Sequence, residues 1–288
     1  MSRKLIIVLG PTASGKTDYS IRLAQSLGSP VISCDSRQIY KEMSIGTAVP
    51  DAQQLAAVRH YFIQTISVTD YYTAGTYETE ALALISRLFA EGHENLVMCG
   101  GSMFYIDAVC NSLSHVPTAD LSVRKELQTR LETEGIEPLR DTLRTLDPEA
   151  YATMDLSNTQ RVFRAVEICL TTGKPYSSFR PSGAARDFEI EKIGIFRPRE
   201  ELYARIDRRV DAMLSAGLIE EVRSLQRYRS LTALKTVGYR EIFSYLDGEL
   251  SQEKAAEDIK TNTRHYAKRQ LSWWRRDPSI RWITPTEE

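Results

Sequence analysis

An apolar run, Leu5-Ile6-Ile7-Val8-Leu9, leads directly into Gly10-Pro11-Thr12-Ala13-Ser14-Gly15-Lys16-Thr17. A buried strand, this glycine-framed octet and a helix start together make a phosphate-binding loop. The glycines let the backbone turn with its N–H groups pointing inward around an anion. Lys16 adds a point charge, and the Thr17 hydroxyl can hold Mg²⁺. The pattern calls for a diphosphate or triphosphate and leaves open whether a nucleotide carries it.

The stretch that follows alternates in the same manner. Val31–Cys34 reads as a second strand ending at Asp35, followed by a helix over 52–60 and a short apolar segment, Tyr61–Ile66. A helix over 76–91 leads to the strand Leu96–Cys99, which ends in Gly100-Gly101. Short buried runs separated by helices predict a parallel sheet wound in β-α-β units, an α/β core of the P-loop NTPase type flanked by helices. Ligands then sit at the carboxyl ends of the strands, where Gly10–Thr17, Asp35 and Gly100–Ser102 fall.

From about Thr118 the pattern is helical only, over 121–135, 138–146, 148–154 and 158–172. Phe188–Phe196 then alternates like a strand and is expected to rejoin the sheet. The predicted organisation is therefore a core of residues 1–118 and 188–288 with an all-helical insertion over 119–187. Further helices are expected over 200–216, 219–228, 239–247 and 252–276.

The 288 residues, 42% of them hydrophobic, suffice for one large domain with an appendage. The four cysteines are scattered without a C-x-x-C pair, which disfavours zinc or disulfides and suits a reducing cytoplasm. The four histidines show no ligand spacing. No secretory leader is expected, and no apolar stretch approaches membrane-spanning length. Net charge is −1, yet Lys260, Arg264, Lys268, Arg269, Arg275, Arg276 and Arg281 lie in one tract against the single acid Asp277. Such a tract is a candidate polyanion footprint or a solvated helix face.

Asp35 opens Asp35-Ser36-Arg37-Gln38-Ile39-Tyr40 at a strand end, on the same edge as the phosphate loop. Its carboxylate could coordinate Mg²⁺, accept a proton from a nucleophile held over the phosphates, or simply cap a following helix. The paired glycines after Cys99 permit close approach to a ligand, where a motor ATPase carries an acid. On the helix over 158–172, Gln160 and Arg164 share a face beside Arg161. Glutamine and arginine suit bases and phosphates, and an Arg164–Glu167 surface pair is the plainer alternative. Tyr266, Trp273, Trp274 and Trp282 interleave with the basic tract, as for stacking on unpaired bases or for docking of the last helix. Arg240, after Gly238, is a further candidate for the phosphate site.

With these residues assembled, the chain resembles the tRNA isopentenyltransferase family along its whole length. The resemblance is carried by Gly10–Thr17, Asp35–Tyr40, Ile45-Gly46-Thr47-Ala48, Gly100-Gly101 before Tyr105, and Gln160-Arg161-Val162-Phe163-Arg164. It continues through Val237-Gly238-Tyr239-Arg240 and Ala267-Lys268-Arg269-Gln270. It implies that dimethylallyl diphosphate, rather than a nucleotide, occupies Gly10–Thr17 with Arg240 and a Mg²⁺ at Thr17. Asp35 would be the general base for an adenine N6 amine, with Ser102 near the reacting atoms. Asp35, Ser36, Arg37, Gln38, Ser102, Arg124, Gln160, Arg161, Val162, Phe163, Arg164, Lys268 and Arg269 would hold the anticodon stem-loop of a tRNA, whose adenosine must be flipped out. A monomer is expected. The chain departs from the family at Val49 and Lys235, where lysine and arginine are usual, and keeps a hydroxyl at Ser102 in place of threonine.

Overall fold

In the computed structural model, residues 3–112, 120–179 and 185–285 are described. Strand β1 (Lys4–Leu9) is almost wholly buried: Leu5, Ile7, Val8 and Leu9 are all sealed from solvent. Only a strand covered on both faces by helices reads as such an unbroken apolar run. The chain continues through α1 (Lys16–Leu27), β2 (Val31–Ser33), α2 (Ala52–Ala57), β3 (His60–Tyr61), α3 (Ala74–Ala90), β4 (Asn95–Gly100) and α4 (Met103–Asn111). Four helices follow, α5 (Leu121–Glu134), α6 (Glu137–Leu146), α7 (Pro148–Thr153) and α8 (Thr159–Thr172). Then come β5 (Glu189–Ile195), α9 (Arg199–Ser215), α10 (Leu218–Ser224), α11 (Tyr239–Leu246), α12 (Gln252–Trp274) and β6 (Ile280–Ile283).

The six strands form one parallel sheet in the order β3-β2-β4-β1-β5-β6. β1 is central, with Leu5 opposite both Leu96 of β4 and Ile190 of β5. Phe188–Phe196 therefore does rejoin the sheet, as its alternation predicts. From β1 the chain crosses to β2 on one side and later returns to β5 on the other. The carboxyl end of β1 thus lies at a switch point, where α/β sheets bind ligands.

Three elements differ from the sequence reading. Of the apolar segment 61–66 only Tyr61 is strand, joined with His60 in β3, and Ile66 makes an isolated bridge to Tyr40. α4 has no counterpart in the sequence reading, because its apolar residues continue from the preceding strand. β6 falls at the end of the basic tract, where the sequence shows no strand pattern, yet it forms the edge strand of the sheet. Trp282 packs where a Cβ on Gly194 would stand, 2.5 Å from such an atom, so this tryptophan docks β6 on β5.

The chain divides into two compact units. The first comprises residues 1–73, 80–110 and 186–288 and contains the sheet; the second comprises 74–79 and 111–185. The second unit is helical, with its own core of Leu127, Leu139, Leu143, Ala150, Val162, Phe163, Ala165 and Val166. Asn158 caps α8 by accepting the N–H of Arg161, and Gly173 ends the helix in the left-handed region. No helix among the described residues is long and apolar enough to cross a membrane.

Candidate active site

The phosphate loop takes its shape from its glycines. Gly10 has φ +147°, and a Cβ there would lie 2.7 Å from the Ile195 carbonyl oxygen. Gly15 has φ +93° and precedes α1 without a side-chain cap, so the first N–H groups of the helix point into the loop unclaimed. Inside the loop the Ser14 hydroxyl is buried and has no hydrogen-bond partner among the described residues. Lys16 Nζ donates to the Pro11 carbonyl at 2.7 Å. Burial pushes the Lys16 ammonium down to about 8, with Arg209 adding to the shift and Asp35 opposing it.

Cations that the sequence reading missed surround this loop. Arg197, just before α9, donates through Nε to the Ser14 carbonyl at 3.3 Å. Arg205 donates to the Ala13 carbonyl at 2.9 Å, and Arg209 reaches Thr12 Oγ1 at 3.4 Å and the Thr47 carbonyl at 3.5 Å. Arg205 and Arg209, four residues apart, share one face of α9. That spacing was the available signal, hidden among the other charges of a polar helix. Arg240 is 57% exposed and pairs with Glu241 at 3.7 Å, and it makes no hydrogen bond to the loop among the described residues. The cations that touch the loop directly come from Arg197 and α9.

Thr12 is also reassigned in part. Its backbone N–H donates to Gln270 Oε1 at 2.9 Å, while Gln270 Nε2 donates to the Gly101 carbonyl at 2.8 Å. That N–H is engaged by protein, which leaves other loop groups for an anion. The paired glycines likewise serve packing between protein segments. A Cβ on Gly100 would lie 2.5 Å from the Cys34 carbonyl carbon, and one on Gly101 2.5 Å from Gln270 Nε2.

Asp35 follows β2 at the same sheet edge. Its Oδ1 accepts the N–H groups of Arg37 at 2.8 Å and Gln38 at 3.3 Å. The capping role weighed in the sequence is therefore real, but it occupies one oxygen. Oδ2 accepts no hydrogen bond among the described residues, and the charge of Asp35 acts on both Lys16 and Arg209. Ser102 is buried; its Oγ accepts the Ser36 N–H at 2.8 Å and donates to Ser36 Oγ at 3.0 Å. The hydroxyl thus braces the Asp35 turn from β4. Tyr266 donates to the Gly101 carbonyl at 3.3 Å, and burial, with Asp35 nearby, pushes its phenol up to about 12.

Gln38 faces inward, donating to the Thr47 and Ala48 carbonyls at 3.1 and 2.8 Å. The loop it grips is held from behind by Glu221, whose carboxylate accepts the N–H groups of Ser44, Ile45 and Gly46 at 2.9, 2.7 and 3.0 Å. Glu221 was not singled out in the sequence, where it is one acid of an ordinary helical pair.

In the helical unit, Gln160 and Arg161 are exposed. Arg124 and Arg164 are about one-third exposed, and both donate to the fully buried carboxylate of Glu167, at 2.8 and 2.6 Å. Val162 and Phe163 are core side chains of that unit, so they set the helix face rather than offer contacts to a partner. The basic tract also divides. Lys260 pairs with Asp211, Arg264 with Asp207 and Arg281 with Glu191, while Lys268, Arg269, Arg275 and Arg276 are exposed. Among the described residues no group of three or more His, Cys, Asp or Glu could hold a metal ion.

The comparisons agree with one another. The model of the IPP transferase family matches residues 38–277. The tRNA dimethylallyltransferase 1 of Bacteroides thetaiotaomicron is 49% identical over 285 residues, covering 99% of this chain and 92% of that protein. Its counterpart in Porphyromonas gingivalis is 49% identical over 282 residues, covering 98% and 94%. The crystal structure of the full-length tRNA isopentenylpyrophosphate transferase of Bacillus halodurans is similar with a TM-score of 0.71 at 35% identity, over 98% of this chain and 90% of that one. A eukaryotic dimethylallyltransferase acting on tRNA is similar with a TM-score of 0.82 at 27% identity, over 99% and 75%. Matched over nearly its full length, the chain belongs to the IPP transferase family, prenyltransferases that transfer a dimethylallyl group to a tRNA adenosine.

Proposed function

We propose that this chain transfers the dimethylallyl group of dimethylallyl diphosphate to N6 of the adenosine 3′-adjacent to a tRNA anticodon, with Asp35 as general base. The observation that carries this reading is the divided carboxylate of Asp35. One oxygen is fixed by two backbone N–H groups, and the other is unengaged beside the charges of Lys16 and Arg209. In the reaction the allylic C1–O bond breaks, the electron pair leaves with the diphosphate, and N6 bonds to C1. The N6 proton passes to Asp35 Oδ2. A fixed carboxylate of this kind typically contributes about 10²–10⁴-fold to the rate.

The departing diphosphate gathers charge as C1–O lengthens. The N–H groups at the start of α1, the buried Ser14 hydroxyl, Lys16 and Arg209 form the donor set that would stabilise it. Mg²⁺ fits this set through Thr17, whose hydroxyl makes no hydrogen bond among the described residues. Because no group of three or more His, Cys, Asp or Glu gathers among the described residues, such a hard cation would rely on Thr17 with substrate oxygens and water. When bound it would neutralise charge on the diphosphate. Ser102 keeps the Asp35 turn in place, a positioning role rather than contact with the reacting atoms. Gln160, Arg161 and the paired Arg124 and Arg164 of the helical unit, with Lys268 and Arg269, would meet the tRNA backbone.

Incubation with labelled dimethylallyl diphosphate and either a tRNA, AMP or no acceptor tests the reading. Label is expected in the tRNA alone, at the adenosine 3′ to the anticodon. Label in AMP would make the acceptor a free nucleotide, and ATP hydrolysis accompanying each transfer would return the chain to the nucleotide-driven class.

A further inference from the structure

Two residues beyond Ser102, Phe104 stands 60% exposed on the first turn of α4. Its ring meets Trp273 edge to face, with centroids 5.3 Å apart and planes at 68°. Trp273 is itself fixed, since its Nε1 donates to Asp107 Oδ2 at 3.1 Å on the same helix as Phe104. The pair is thus a rigid aromatic surface rather than a loose side chain. Along α12, residues 266, 269, 270 and 273 recur at helical spacing and share a face. Tyr266 and Gln270 on this face bind the Gly101 carbonyl, which ties the aromatic pair to the sheet edge bearing Asp35. The neighbouring cations Lys268, Arg269, Arg275 and Arg276 are exposed, and none has an ion-pair partner among the described residues.

An exposed aromatic face bordered by unneutralised cations is complementary to single-stranded nucleic acid, whose bases stack and whose phosphates pair with the cations. We propose that Phe104 and Trp273 form a stacking platform for the unpaired nucleobase flanking the reacting adenosine, with Lys268 and Arg269 on the adjoining phosphates. Extruding an adenosine leaves its neighbour without a stacking partner, and the platform supplies a replacement. The inference rests on the tRNA reading of the preceding subsection and adds the element that selects an extruded over a stacked conformation.

A double-mutant cycle tests it, using the full chain and an anticodon stem-loop RNA carrying an abasic site on either side of the target adenosine. Phe104→Ala should raise KM for the intact RNA roughly 5- to 150-fold, the range expected for one lost stacking contact. KM for dimethylallyl diphosphate should hold, and so should the slope of RNA affinity against salt, because no phosphate contact is removed. Phe104→Trp should restore the RNA affinity, and Arg269→Ala should reduce the salt slope. An abasic site at one flanking position should cost the wild type the same factor and cost Phe104→Ala nothing further. Additive losses at both flanking positions would overturn the platform, as would a raised KM for dimethylallyl diphosphate in place of RNA. A wild-type chain that does not prenylate the intact stem-loop would instead overturn the function proposed above, a distinguishable failure.

Discussion

Tyr239 donates its phenolic hydrogen to Glu221 Oε1 at 2.6 Å, on the same carboxylate that gathers three successive backbone N–H groups of Ser44–Gly46. Two segments that carry the family resemblance, Ile45–Ala48 and Val237–Arg240, meet at this one acid. The Tyr239 ring also fills the space beside Gly46, where a Cβ would lie 2.5 Å from its Cε2. The loop so held presents the Thr47 carbonyl to both Gln38 and Arg209.

Glu221→Gln should loosen that loop and, through Gln38 and Arg209, both Asp35 and the phosphate loop. Tyr239→Phe leaves one acceptor short of a donor and should cost about 0.5–1.5 kcal/mol of stability. Glu221→Gln should cost more and raise KM for dimethylallyl diphosphate beyond what its change in Tm explains. Thermal melts alongside steady-state kinetics check both.

Asp35→Asn should keep the turn, since an amide oxygen still accepts from Arg37 and Gln38, while nothing remains to take the N6 proton. Single-turnover transfer should fall by about 10²–10⁴-fold with dimethylallyl diphosphate affinity nearly intact. A large loss of diphosphate affinity would assign Asp35 to the metal instead.

The buried Lys16 ammonium, pushed down to about 8 from 10.5, gives two pH effects of opposite sign. In the free enzyme its charge is lost as pH rises through about 8, so kcat/KM for dimethylallyl diphosphate should fall on that limb. Between about 8 and 10.5 the unfolded chain binds a proton that the folded chain has released, so this group's contribution to stability rises with pH. Kinetic and melting profiles over the same buffers read the two effects separately, and Lys16→Met should remove both.

Gln270→Ala should free the half-buried Thr12 N–H and leave the Gly101 carbonyl with Tyr266 alone, at about 1–3 kcal/mol. Gln270→Glu keeps the acceptor for Thr12 but loses the donor to Gly101 and adds negative charge beside the phosphate loop. It should therefore weaken diphosphate binding more than Gln270→Ala does, as calorimetric titration can measure.

Arg161 and the Arg124–Arg164 pair should behave differently despite sharing the helical unit. Arg161→Ala should raise KM for tRNA and flatten its salt dependence, with no change in Tm. Replacing both Arg124 and Arg164 by alanine leaves the fully buried Glu167 uncompensated, and should cost about 3–5 kcal/mol of stability. Melts and salt titrations together separate the two.

How much could be read from the sequence follows from how local each signal is. The phosphate loop and the strand before it are continuous segments whose residue order alone defines their geometry, and Asp35 was found by its place at a strand end. Glu221 and the arginines of α9 were not found, and Gln270 stood out only as part of a motif without a role, because each acts on a backbone group far away in the chain. Nothing in a helical run of charges says which member will turn toward a distant loop. Gly100 and Gly101 were found and misread for the related reason that what approaches them, Cys34 and Gln270, lies elsewhere in sequence.

The central position of β1 has a bearing on how the chain is made. Its two neighbours, β4 and β5, both come later, and the second lies beyond the helical unit. During synthesis β1 therefore leaves the ribosome before both its neighbours and waits with at least one edge unpaired until β5 appears. Long-range parallel pairing of this kind forms slowly and exposes sticky backbone in the interval. A nascent chain paused before Glu189 would present that open edge to chaperones or to other nascent chains. Synonymous changes that slow translation of the helical unit would then lower the yield of folded enzyme without altering a single residue.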